Sequence, residues 1–97
     1  MDPAARVESI DWVRLSAGLD ADGAATVPAL LTPAECADLA ALYERDAPFR
    51  SRVVMARHGF GRGEYKYFAY PLPPAVSALR AAIYPHLVPL ANRWNEA

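Results

Sequence analysis

The chain has 97 residues, 54% of them hydrophobic, and a formal net charge of −1. This length bounds it to one domain or a piece of one, and the apolar content excludes a disordered chain. No apolar run approaches the ~20 residues of a membrane span, and residues 1–11 carry acids where a secretory leader needs an apolar stretch. The single cysteine, Cys36, cannot close an internal disulfide, which fits a reducing, cytoplasmic location. Arginine outnumbers lysine nine to one and alanine is the commonest residue, a composition suggestive of a GC-rich bacterial gene.

Taken in chain order, the pattern predicts an α+β segment. A first helix is expected over Val7–Ala17, with Ile10 and Val13 on one face, Trp12 and Leu15 beside them, and Gly18 as its stop. Residues 20–23 (Asp-Ala-Asp-Gly) read as a turn, and Ala24–Pro28 as a short strand. Thr32-Pro33-Ala34-Glu35 combines an N-cap hydroxyl, proline at N1 and glutamate at N3, so a capped helix starts there. It is expected to run to about Arg45 and to bury Cys36, Leu39, Ala40 and Tyr43.

Arg52–His58 and Glu64–Tyr70 both alternate with the period of a strand, and glycines at 59, 61 and 63 separate them. Together they predict a β-hairpin, with Tyr65 and Tyr67 set against Val53 and Met55. The connector Pro71-Leu72-Pro73-Pro74 leads to a last helix with an apolar stripe at Val76, Leu79, Ile83, Leu87, Leu90 and Trp94. Pro85 interrupts it, so a kink or two shorter helices are expected. The chain stops at Ala97 without a helix-stop signal, as a segment cut before a further domain would.

The near-neutral total hides an asymmetry. Residues 1–49 carry a balance of −6, whereas residues 50–66 carry five basic residues against Glu64 alone. The hairpin is therefore a local positive patch rich in aromatic residues, suited to phosphates and base faces. The glycines do not make a phosphate cradle, because Gly63 leads into a strand and neither a helix nor Gly-Lys-Ser/Thr follows. An RNP1 alignment from His58 matches only Gly59, Phe60, Gly61 and Tyr65 and misses its other positions. His58 and His86 are followed two residues later by Phe60 and Val88, so neither opens a His-x-Asp iron triad, and no metal site is expected. Cys36 reads as a small core residue, and Trp12, Tyr84 and Trp94 as packing residues.

Two segments carry a family resemblance. Residues 19–36, an Asp-Gly turn followed by Thr-Val-Pro-Ala-Leu-Leu-Thr-Pro-Ala-Glu-Cys, resemble the leading segment of iron(II)/2-oxoglutarate-dependent oxygenases. Residues 57–72, with Gly-Phe-Gly-Arg-Gly-Glu-Tyr-Lys-Tyr-Phe followed by Tyr-Pro-Leu, look like a bacterial prolyl-4-hydroxylase-like or DNA-repair-like subgroup. The resemblance implies the N-terminal portion of a double-stranded β-helix enzyme, lying before a catalytic core that is missing from this chain. It implies Fe(II) and 2-oxoglutarate as cofactors of the intact protein, with none bound to this chain, and a protein or nucleic-acid substrate. The iron-binding His-x-Asp…His set maps onto no position here, so no catalytic or metal-binding residue is assigned. Arg57, His58, Tyr65 and Lys66 are the expected substrate-facing residues. The alternatives are a non-enzymatic module that uses the basic hairpin on nucleic acid or an acidic partner, and a scaffold segment without a ligand.

Overall fold

The computed structural model describes residues 1–59 and 61–96. Among these residues the architecture is α+β, with four α-helices and one two-stranded antiparallel sheet. Two compact units divide it: residues 1–32 with 75–96, and residues 33–74.

The first unit is helical. Helix α1 spans Pro3–Glu8 and α2 spans Trp12–Asp22. The single helix expected over Val7–Ala17 is thus two, and the break is chemical. Ser9 closes α1, its hydroxyl donating to the Arg6 carbonyl, while the Asp11 carboxylate accepts the Arg14 backbone N–H at 3.1 Å and caps α2. Asp2 caps α1 in the same way through the Ala5 N–H. Gly18 does not stop α2, which passes through it; a Cβ there would lie 3.5 Å from that of Ala25. The stop comes at Gly23, whose left-handed φ of 73° lets its N–H reach the Leu19 carbonyl.

No strand forms over Ala24–Pro28, because the two strands of the sheet pair only with each other. The segment is an irregular connection ending in a turn at Pro28-Ala29. The Arg6 guanidinium anchors its far end through the Leu30 carbonyl at 2.7 Å. With α1 and α2 this connection borders an open groove of about 720 Å³.

Helix α4, Pro74–Glu96, is one continuous helix rather than two, although it contains both Pro85 and Pro89. Neither proline can donate an N–H, so the carbonyls of Ala81 and Pro85 lack their usual partners one turn later. Both prolines are exposed, where water can serve those carbonyls. The stripe on α4 also differs from expectation: His86 is half-buried, whereas Leu87 and Trp94 are exposed.

His86 holds a central place because its ring stacks on Trp12, with centroids 4.1 Å apart and planes 3° from parallel. Its Nε2 lies 3.1 Å from Glu8 Oε1, and Trp12 Nε1 donates to the Val7 carbonyl. A second polar anchor joins α2 to α4, since the Asp20 carboxylate accepts from both Arg93 at 2.9 Å and Trp94 Nε1 at 2.7 Å. Val7 and Leu90 are the buried side chains among the described residues. Val13, expected on the apolar face, is instead exposed.

The second unit begins with α3, Pro33–Ala41, which starts where the capping signature places it. It tightens into a 3-10 turn at Leu42–Glu44 before Arg45. Cys36 and Ala40 are exposed, contrary to the expected burial, while Leu39 and Tyr43 are half-buried. The expected helix to Arg45 is shortened, since α3 ends at Ala41 and residues 42–44 turn as a 3-10 helix.

Asp11→Ala is expected to lower the free energy of unfolding by about 1 kcal/mol, and Asp11→Asn by much less. Urea unfolding followed by helical circular dichroism measures the difference.

Candidate nucleic-acid interface

The hairpin joins β1, Phe49–Val54, to β2, Glu64–Phe68. β1 ends four residues before the expected His58, because Met55–His58 winds into a 3-10 turn. The alternation expected for Met55, Arg57 and His58 therefore does not exist. Val53 faces Tyr65 as expected, but the residue opposite Tyr67 is Ser51 and not Met55.

The connecting loop depends on backbone conformation. Gly59, Gly61 and Gly63 have φ of 72°, 99° and 108°, and a Cβ on any of them would meet nothing within 4 Å. The glycines are present for positive φ and not for close approach. Met55 N–H bonds to the Gly63 carbonyl at 2.9 Å and closes the loop. Phe60, part of the RNP1 half-match, lies outside the described residues.

Strand pleating divides the hairpin into two faces. On the inner face, Arg52 stands opposite Lys66, a like-charge pair that is unfavourable in a ladder. Two contacts offset the repulsion. Arg52 lies 3.7 Å from the Glu64 carboxylate, which also accepts from the Tyr43 hydroxyl at 3.0 Å. Lys66 turns away to donate to the carbonyl of Tyr43, the middle residue of the 3-10 turn. Its ammonium sits 4.2 Å from the Tyr43 ring centroid and 5.1 Å from that of Phe49, and Phe49 stacks on Phe68 at 5.0 Å.

The outer face carries Tyr65 and Tyr67, exposed at 43% and 47%. Their rings are 5.5 Å apart and nearly perpendicular. Two residues of β1, from Phe49 to Ser51, span one step of β2, from Phe68 to Tyr67, so Arg50 is the extra residue of a bulge. Its guanidinium lies 5.4 Å from the Tyr67 ring centroid.

The four expected substrate-facing residues fall in three places. Tyr65 is on the outer face, Lys66 is half-buried on the opposite face, and Arg57 and His58 are exposed in the 3-10 turn beside the loop. Tyr67 and Arg50, absent from that set, are the residues that accompany Tyr65. The strand period signals Tyr67, since residues 65 and 67 share a face and residue 66 does not. The bulge that re-aims Arg50 has no comparable signature in the sequence.

Against known proteins, residues 63–97 match the family Oxygenase-NA, described as an oxygenase catalysing oxidative methylation of damaged DNA. The match covers β2, the proline connector and α4, about a third of the chain. It supports the oxygenase resemblance at the level of an oxygenase family associated with DNA. Residues 19–36 lie outside it. No curated protein and no solved structure matches the chain.

Partial desolvation, and then the hydrogen bond and charge of Glu64, hold the Tyr43 phenol above its ordinary pKa. Partial desolvation and then Tyr67 do the same for Tyr65. The folded chain thus holds these protons more tightly than the unfolded one. The associated stability is fully present below the unfolded tyrosine value of about 10 and is lost as pH rises through the higher folded values. Alkaline titration followed by phenolate absorbance should show a late component that Tyr43→Phe diminishes.

Lys66→Met keeps the stem but leaves the Tyr43 carbonyl without its charged donor. A loss of about 1–3 kcal/mol in chemical unfolding is expected.

Proposed function

We propose that this chain is the substrate-contacting N-terminal part of an iron(II)- and 2-oxoglutarate-dependent oxygenase that hydroxylates a C–H bond of a nucleic acid. One observation carries the reading. The part of the chain that matches an oxygenase family described as acting on damaged DNA begins at β2, the strand that bears exposed Tyr65 and Tyr67. That strand belongs to the most basic segment of the chain, residues 50–66. Residues 57–72 resemble a prolyl-4-hydroxylase-like or DNA-repair-like subgroup, and the description of the matched family as acting on damaged DNA favours a nucleic acid over a protein as substrate.

In this reading the iron is held outside residues 1–97, because the His-x-Asp…His set of the resembled family maps onto none of them. Among the described residues no three His, Cys, Asp or Glu side chains converge on a point where a metal ion would sit. The reading assigns iron and 2-oxoglutarate to a β-helical catalytic core outside this chain. There, in the intact enzyme, dioxygen and 2-oxoglutarate would be consumed and succinate, carbon dioxide and the hydroxylated substrate formed. The role of this chain is binding and orientation. Its exposed arginines neutralise backbone phosphates, and its tyrosines present ring faces to bases.

A second reading, a binding module without catalysis, draws on the same exposed arginines. Assay of the full-length product of the reading frame that encodes this chain separates the two. With iron(II), 2-oxoglutarate and methylated DNA, succinate formation that depends on the DNA is expected. DNA binding without any such turnover would leave the binding module standing. Residues 1–97 alone should bind DNA without decarboxylating 2-oxoglutarate, and turnover by that fragment would overturn the assignment of the iron site.

A further inference from the structure

We propose that the outer face of the hairpin is a stacking platform for an unpaired DNA strand, with Tyr65 and Tyr67 as ring surfaces and Arg50 as the adjoining phosphate contact. This rests on the nucleic-acid reading above and specifies the state of the DNA. Three features of the hairpin carry it.

The first is which face is available. Lys66, Glu64 and Arg52 are engaged with Tyr43 and with one another on the inner face, and the outer face is left with two half-exposed phenol rings. The perpendicular setting of those rings, 5.5 Å apart, forms a corner. A planar base laid against one ring is bounded by the other.

The second is the bulge. A regular strand would give Phe49 and Ser51 the same side, but the extra residue places them on opposite sides and brings Arg50 to within 5.4 Å of the Tyr67 ring. The guanidinium lies over the Tyr67 ring, and on a long flexible side chain it can swing from there to the phosphate of a nucleotide whose base takes its place on the ring. Arg57 and Arg62, both exposed near the loop, continue the positive charge toward the hairpin tip.

The third is the chemistry the face lacks. Reading a duplex in its grooves takes side chains that hydrogen-bond to base edges, and a tyrosine ring face is not one of them. In a duplex the base faces are already covered by neighbouring pairs. Ring faces gain only from bases that are unstacked, as in a single strand. A duplex would meet the arginines alone.

Fluorescence anisotropy of the full chain with labelled oligothymidine, and with a hairpin duplex, tests this at low and moderate salt. The single strand should bind at least about tenfold more tightly. Tyr65→Ala and Tyr67→Ala should each weaken single-strand binding by roughly 5- to 100-fold and leave duplex binding unchanged. Tyr65→Phe and Tyr67→Phe, which keep the rings, should retain it. Arg50→Ala should weaken binding to both and reduce the salt slope on the single strand by about 0.7.

Equal affinity for the two forms would overturn the platform. So would alanine variants that bind normally while Arg57→Ala and Arg62→Ala bind poorly, although the nucleic-acid reading would then survive. No binding of either form at low salt would overturn both.

Discussion

The hairpin depends on where the charge of Lys66 goes. A lysine directly across from Arg52 would push the two strands apart if both ammonium and guanidinium stayed in the ladder. Donation to the Tyr43 carbonyl, over the Tyr43 and Phe49 rings, removes Lys66 from that conflict and ties the strand to the turn after α3. Because side chains alternate, this one commitment also places Glu64 and Phe68 inward and Tyr65 and Tyr67 outward. The exposed tyrosines follow from the placement of a cation on the other side.

The helical unit relies on directional contacts for a related reason. A chain of this size has little interior, and among the described residues only Val7 and Leu90 are buried. The stack of Trp12 on His86 and the two bonds accepted by Asp20 therefore set how α2 meets α4, where a larger domain would use more apolar contacts. Such contacts fix orientation as well as adding energy, since a planar stack or a shared carboxylate tolerates little rotation.

Legibility in the sequence followed the range of each interaction. The start of α3 and the existence of the hairpin were readable, because capping residues and a glycine-separated alternation act over a few positions. The split between α1 and α2 was also local, yet the cap at Asp11 was hidden within a broad apolar pattern. Ala24–Pro28 has strand-like residues but no partner strand, and pairing is a long-range fact. In the sequence His86 fails the spacing of a metal ligand and signals no other role, whereas its packing depends on Trp12, more than seventy residues earlier. At the candidate site the strand period alone separates Tyr65 from Lys66 and joins Tyr65 to Tyr67. The position of Arg50 required the bulge to be seen.

The glycine loop bears on how this sequence can drift. A Cβ on Gly59, Gly61 or Gly63 would meet nothing within 4 Å, so crowding at that atom does not exclude a side chain there. What opposes replacement is backbone conformation, at roughly 1–2 kcal/mol for each residue forced into the left-handed region. Losing all three would cost an appreciable part of the margin by which a small domain stays folded. Selection for folding alone would then keep these glycines, even in a descendant that no longer touched nucleic acid. Arg50, Arg57 and Arg62 have no such protection, so their retention or loss among descendants would report on binding in a way the glycines cannot.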